Sequence, residues 1–317
     1  MRALFVGIGS IGTRHLKNLH ARCAARGIAL EADALRSSAR ALPPETAALL
    51  HRQLAPGEAP GHYDLLFVTN PTNLHFETLR ELAGAADCLF IEKPLFADGN
   101  TDLAAAGLAG KKAYVAAPMR SCGTYLALKK ELAGKRVYSA RILCSSYLPD
   151  WRPGVDYRKV YSARREMGGG VTIDLIHEWD YLVDLFGFPL ESCNFRGTYS
   201  DLEISSDDLS VYIARYADKL AEIHLDYFGR SYRRTAEFFV QQGTITADFG
   251  AGTLTRADGS VLDCKEDVNA RYLREMDGFL DYALGGEPVS ANPPEMALRV
   301  LQLTLGEEKT AAGEEKQ

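Results

Sequence analysis

The sequence predicts an α/β chain of two domains. Three observations carry this. Up to about residue 120 short apolar strands alternate with helical stretches. Beyond it, strands outnumber helices. The run Gly7-Ile8-Gly9-Ser10-Ile11-Gly12, a G-x-G-x-x-G, joins the first strand to the first helix. The 317 residues suit two domains, each large enough to bury its own core.

The elements follow in order. Residues 3–6 read as a strand. Residues 13–26 read as a helix with Leu16, Leu19 and Cys23 on one stripe and Gly27 as its C-terminal cap. Residues 28–35, 64–68, 88–91 and 113–116 are further strands, and a helix spans 73–82 before Gly84. Strands alternating with helices make a parallel sheet with crossover helices. After residue 120 a helix covers 125–132 and a long strand 137–146. Residues 147–167 are irregular and rich in Trp, Tyr, Arg and Pro, and one helix then runs through 171–186. Strands near 191–198, 209–216, 220–228, 234–241 and 244–249 are joined in part by short turns, which favours antiparallel pairing. Helices at 268–284 and 294–307 close the pattern, and the polar residues 306–317 are expected to fray. The domains are therefore 1–120 and 121–317, with the last helix able to pack back toward the first domain.

Composition narrows the function. Hydrophobic residues make up 46% and charged residues 25%, an ordinary globular balance. The formal net charge of −6 argues against a nucleic-acid binder, which would carry a basic surplus. No apolar run reaches the roughly 18 residues of a membrane span, and the N-terminal apolar stretch is too short for a signal peptide. The six cysteines are scattered without C-x-x-C or Cys/His zinc spacing. No metal site is expected, and they read as reduced thiols of a cytoplasmic protein.

The glycine run sits where it has mechanical meaning. Gly7 permits a tight turn, Gly9 lets backbone approach a pyrophosphate, and Gly12 lets the helix pack on the strand. Ser10 and Ile11 then begin a helix whose N–H groups favour phosphate. Gly7, Gly9, Ser10, Ile11 and Gly12 are thus candidate dinucleotide ligands. The usual NAD pattern has an acid at the end of the second strand. Asp33 has nearly that spacing, but the strand continues past it and ends at Arg36-Ser37-Ser38, with Arg40 nearby. Arg36, Ser37 and Ser38 would favour a 2′-phosphate, so NADP(H) is expected ahead of NAD(H).

Two more segments end strands on the same rim, where open α/β sheets bind ligands. The first is Thr69-Asn70-Pro71-Thr72-Asn73-Leu74-His75 and the second Glu92-Lys93-Pro94-Leu95. Lys93 is placed to approach a nicotinamide and a substrate hydroxyl.

With Gly168-Gly169-Gly170-Val171-Thr172-Ile173-Asp174-Leu175-Ile176-His177, these motifs resemble the Gfo/Idh/MocA family of nicotinamide-dependent sugar and cyclitol oxidoreductases. The resemblance covers nearly the whole chain. It implies a Rossmann domain followed by an α/β domain with an open, mostly antiparallel sheet that often serves oligomerisation. It places Lys93, Asp174 and His177 at the reacting centre, and Thr69, Asn70, His75 and Glu92 around the cofactor. Arg120 matches an arginine that commonly begins the second domain. Two departures stand out. Asp174 and His177 are three residues apart, where many members have four; a continuous helix would still put both on one face. Arg-Phe-His-Pro, frequent in the family, is here Arg120-Ser121-Cys122-Gly123.

On the substrate side, residues 147–167 offer aromatic faces for sugar rings and arginine forks for carboxylate, phosphate or hydroxyl oxygens. Arg120, Trp151, Arg158 and Tyr161 are the expected substrate contacts. Along 220–228 the polar residues Glu222, His224 and Asp226 alternate with Ala221, Ile223, Leu225 and Tyr227, and the polar face is expected to be solvated or an interface. The expected activity is hydride transfer between a nicotinamide and a secondary alcohol or ketone of a sugar, sugar derivative or cyclitol, by a homodimer or homotetramer. A non-catalytic NAD(P)-binding regulator or sensor, and a reductase of a non-sugar substrate, stay open beside it.

Overall fold

A computed structural model describes residues 1–38, 40–58 and 61–307. Most of the expected frayed tail, 308–317, lies outside the described residues. The described chain divides into two units. The first joins Met1–Pro118 to Val268–Leu298, and the second is made of Met119–Asp267 with the segment that begins at Arg299.

In the first unit β1 (Arg2–Val6) leads into α1 (Ser10–Ala25). Then come β2 (Glu31–Leu35), a short α2 (Pro44–Ala47), β3 (Arg52–Leu54), β4 (Tyr63–Val68), α3 (His75–Leu82), β5 (Ala86–Ile91) and β6 (Lys112–Val115). The six strands lie in the order β3-β2-β1-β4-β5-β6, all parallel. The order reverses direction between β1 and β4, which opens a ligand crevice at their carboxyl ends. The α1 prediction holds in detail: Leu16, Leu19 and Cys23 are buried, and Gly27 takes φ +67° just past the helix end. Neither α2 nor β3 was legible in the sequence, since both are too short to show a period.

Register explains the core. Phe5, Phe67 and Phe90 are cross-strand partners on β1, β4 and β5 and form a row, with ring centroids 4.4 and 5.1 Å apart. Phe279, from α7 (Val268–Ala283), meets Phe67 and Phe90 edge-on at 5.5 and 5.1 Å. This seat gives 268–298 to the first unit, a correction to the expected boundary at residue 120. The apolar stripe of α7 alone could not reveal which sheet it covers. The division falls inside α8 (Pro294–Leu305), after Leu298.

The second unit opens with α4 (Gly123–Leu132) and β7 (Val137–Tyr147). Residues 148–167 form short single turns, followed by α5 (Val171–Asp174) and α6 (His177–Phe186). Seven strands complete it: β8 (Glu191–Gly197), β9 (Leu209–Arg215), β10 (Leu220–Asp226), β11 (Phe228–Val240), β12 (Gly243–Asp248), β13 (Thr253–Thr255) and β14 (Val261–Asp263). The eight-stranded sheet runs β14-β13-β12-β11-β7-β10-β9-β8, antiparallel except for the parallel β7–β10 pair.

The expected continuous helix over 171–186 is broken at Leu175-Ile176. Leu175 adopts φ −99° and ψ 27°, outside helical geometry, so Asp174 and His177 belong to different helices. Their placement on one helix face, argued from spacing, does not hold. Three carboxylates fix α6 from other elements. Glu178 is buried and takes Arg234 Nε and Nη2 at 2.7 and 3.1 Å. Asp180 takes Arg120, and Asp184 takes Lys129 Nζ at 2.6 Å and the Tyr125 hydroxyl.

Candidate active site

In the first unit the glycine loop is built by steric necessity at two positions and by open space at a third. A Cβ on Gly7, whose φ is +93°, would lie 2.8 Å from the Asn70 backbone. A Cβ on Gly12 would lie 2.3 Å from the Gly7 carbonyl oxygen. Thr69 adds to this closure by donating its hydroxyl to that same oxygen at 2.6 Å. Gly9 is different, because no atom lies within 4 Å of where its Cβ would stand. Nothing in the protein demands glycine there, whereas a ligand brought against the backbone would. Gly9 also caps α1, which has no side-chain cap and no acid in its first turn. No acid of the helix's own first turn offsets its N–H groups and the positive end of its dipole.

These residues open on a cleft of about 730 Å³ lined by Gly7, Gly9, Ser10, Thr13, Arg36, Ser37, Ser38 and Arg40 among others. Arg36 directly follows β2 and donates to Gln53 Oε1 at 2.7 Å and to the Arg40 carbonyl. Asp33 faces elsewhere. Its buried carboxylate accepts from Arg52 Nη2 and the Tyr63 hydroxyl, both at 2.7 Å, and lies 3.2 Å from His51 Nδ1. Burial alone would raise its pKa, but the hydrogen bonds from Arg52, Tyr63 and His51 outweigh it and hold the carboxyl below its usual range.

The rim residues divide into those that line the surface and those that brace it from inside. His75 is buried. Its Nδ1 lies 3.0 Å from the Leu95 carbonyl and its Nε2 3.1 Å from the Asn70 carbonyl, so the ring fills the space between the loops after β4 and β5, and the single N–H of its neutral form donates to one of the two carbonyls. Burial lowers its pKa and favours the neutral ring. His75 was expected to touch cofactor; with no exposed surface it instead braces the loops that would. Glu92 is also turned inward, 2.5 Å from His15 Nε2, and it accepts the Lys93 N–H at 3.1 Å. Burial raises the Glu92 pKa, but His15 and Lys93 reverse the shift and keep it anionic. Asn70 donates to Thr78 at 2.8 Å, and the following Lys93–Pro94 peptide is cis.

In the second unit each glycine of the triple has its own reason. Gly168 takes φ +81° to end a turn. A Cβ on Gly169 would collide with the Tyr161 carbonyl at 1.9 Å, and one on Gly170 would meet Asp207 at 2.4 Å. Asp207 in turn accepts the Thr172 N–H and hydroxyl at 2.9 and 2.6 Å, capping α5. Asp174, at the other end of α5, accepts the Tyr161 and Tyr227 hydroxyls, one on each oxygen. Trp151 stands edge-on to Tyr227 at 5.2 Å and donates to Ser146. His177, half-buried, begins α6.

Trp151, Tyr161 and Asp174 are therefore gathered into one cluster. The other two expected substrate contacts are committed to carboxylates. Arg120 grips Asp180 through Nε and Nη2 at 2.9 and 2.7 Å, and Arg158 pairs with Asp156 and Glu203, each at 2.9 Å. Sequence reasoning missed Tyr227 and Asp207 as site residues. Tyr227 carried a signal, since it continued the inward-facing series Ala221, Ile223 and Leu225. Asp207 carried none. Among the described residues, no group of three or more His, Cys, Asp or Glu could hold a metal ion, and no helix is long and apolar enough to cross a membrane.

Comparison with known proteins agrees with this architecture. Residues 1–116 match the Gfo/Idh/MocA family model, "Oxidoreductase family, NAD-binding Rossmann fold". No curated protein matches by sequence. Among solved structures, a levoglucosan dehydrogenase in complex with NADH and levoglucosan is 17% identical at a TM-score of 0.78, covering 97% of this chain and 96% of that one. The WlbA dehydrogenase from Bordetella pertussis, in complex with NADH and UDP-GlcNAcA, is 18% identical at 0.74, covering 96% and 94%. UDP-N-acetylglucosamine 3-dehydrogenase GnnA from Acidithiobacillus ferrooxidans is 20% identical at 0.73, covering 97% and 96%. At these identities the likeness is one of fold.

Proposed function

We propose that this chain is a nicotinamide-dependent oxidoreductase acting on a secondary alcohol or ketone of a sugar, sugar derivative or cyclitol, with NADP(H) as preferred dinucleotide. The observation that carries the reading is the open position beside Gly9, at an uncapped helix end, in a cleft that also holds Arg36. The residues present suit the dinucleotide. The Gly9–Ser10 backbone and the α1 N-terminus would hold the pyrophosphate, and Arg36, Ser37 and Ser38 the 2′-phosphate. Asp33, spent on Arg52 and Tyr63, is withdrawn from ribose recognition, which favours the phosphorylated cofactor. When bound, the nicotinamide accepts or supplies hydride.

The chain's own groups then handle the proton and the developing charge. Lys93 polarises the substrate oxygen and stabilises alkoxide character. His177 takes the hydroxyl proton on oxidation and returns it on reduction, the general acid–base role that imidazole most often fills. Asp174, set among Tyr161, Tyr227 and Trp151, holds substrate hydroxyls. The ligands bound by two of the fold neighbours, levoglucosan and UDP-GlcNAcA, support a carbohydrate substrate. The test is single-turnover oxidation of bound NADPH against a library of keto-sugars and keto-cyclitols. Turnover with one member and tighter binding of NADPH than NADH are expected. Dinucleotide binding without turnover of any member would make the chain a binding module instead.

A further inference from the structure

Three stretches of the second unit, each tied to residues 203–208, meet at the Asp174 carboxylate. Asp174 itself ends α5, whose other end is capped by Asp207. Tyr161 comes from the 148–167 segment. That segment is stitched to residues 203–206: Ser206 Oγ donates to the Ser162 carbonyl at 2.7 Å, the Ser205 N–H to the Ala163 carbonyl at 2.9 Å, and the Glu203 N–H to the Tyr157 hydroxyl at 3.2 Å. Tyr227 follows β10. Its N–H donates to the Asp208 carbonyl and its carbonyl accepts the Leu148 N–H, both at 2.9 Å. Tyr161 and Tyr227 donate to different oxygens of the carboxylate.

We propose that Tyr161 and Tyr227 are positioning residues that set the orientation in which Asp174 meets the substrate, so that the 148–167 segment takes part in substrate selection. The inference rests on the proposed reading that Asp174 holds substrate hydroxyls. An aspartate has two side-chain torsions, and its second is broad. Hydrogen bonds to both oxygens, from two different elements, restrict that freedom. Productive geometry must be held to roughly 0.5 Å, and a misplacement of about 1 Å is worth on the order of a hundredfold in rate. The phenols suit the task. Desolvation, and then the Asp174 charge, push both well above the usual phenol range, so they stay protonated donors across neutral pH.

The test uses the full chain with NADPH and the keto-sugar that it turns over. Tyr161→Phe and Tyr227→Phe should each raise KM for the sugar about fivefold or more while changing dinucleotide affinity little. In an Asp174→Asn background the same substitutions should add less than about twofold, because they act through one carboxylate. Effects that add in full, or an unchanged KM, would overturn the proposal. A crystal structure of the Tyr161→Phe/Tyr227→Phe protein gives a readout independent of turnover. The Asp174 carboxylate should rotate from its native orientation, and an unmoved carboxylate overturns the proposal. Should Tyr227→Phe fail to fold, the more exposed Tyr161→Phe supports both measurements alone. Wild-type protein that turns over no sugar defeats the proposed activity, whereas the carboxylate orientation still decides the positioning role.

Discussion

Asp33 and Arg52 are cross-strand partners on β2 and β3, and the arginine spends two donors on one Asp33 oxygen, at 3.1 and 2.7 Å. The acid that stands nearly where a ribose-binding residue would is thereby part of the sheet's own edge. Its carboxyl is held below its ordinary range, so Asp33 adds stability above the unfolded carboxyl value of about 3.9, and loses it as pH falls through the lower folded value. Asp33→Asn should lower the melting temperature at pH 7, by an amount corresponding to about 1–3 kcal/mol, and the gap should narrow as the pH is brought below about 4. A gap that widens in acid would contradict this assignment.

The proposed preference for NADP(H) rests on Arg36. Charge-assisted hydrogen bonds to a 2′-phosphate are worth about 1.5–3 kcal/mol, or roughly ten- to a hundredfold in affinity. Arg36→Asp should weaken NADPH by that factor and leave NADH nearly unchanged in fluorescence titrations. Equal affinity of the unaltered protein for both dinucleotides would refute the preference.

The proposed activity gives the proton and charge chemistry to Lys93 and His177. Lys93→Met and His177→Ala should each lower kcat by at least about a hundredfold, the usual contribution of a positioned acid–base group. Dinucleotide affinity should hold, because the glycine loop carries the phosphates. Near-normal turnover by His177→Ala would move the base elsewhere.

Phe279 anchors α7 on the phenylalanine row of β1, β4 and β5. Truncation to alanine leaves a cavity under the helix and should cost about 3–5 kcal/mol, read from the urea midpoint. A loss below about 1 kcal/mol would mean that α7 is not part of this core.

The second unit's sheet turns Ile213, Glu222, Arg141 and Glu237 into one cross-strand row, with Arg141 3.5 and 3.6 Å from its two acidic neighbours. Ile213 and Leu220 remain exposed beside these charges. A homodimer or homotetramer formed through this face is expected, and Ile213→Glu should dissociate it. Light scattering that returns a monomer mass at every concentration would rule the assembly out.

The parts of the site legible in sequence are those whose meaning is local. The glycine loop is one: Gly7 and Gly12 are required by backbone within the loop and by the strand end beside it. The end of β2 at Leu35, which separates Asp33 from Arg36, was also readable, because the apolar pattern runs to that point. His75 was misassigned as a ligand contact. Its motif marks the rim correctly, but only the folded loops show that both ring nitrogens face backbone carbonyls. Arg120 and Arg158 were expected at the substrate; their pairing with Asp180 and Glu203 was not legible, since sequence does not reveal which carboxylates lie in reach.

By itself the sequence determined the two-part α/β organisation, the dinucleotide loop and the rim segments around Lys93. Periodicity and turn chemistry are properties of a few consecutive residues, and they survive without a fold around them. Tertiary structure alone decided that Asp33 is paired within the sheet, that the helix breaks between Asp174 and His177, and that Tyr161 and Tyr227 meet on one carboxylate. Each of these depends on residues tens of positions apart being brought within hydrogen-bond distance, or on packing that overrides local helical preference. No spacing rule within a short window encodes such distances.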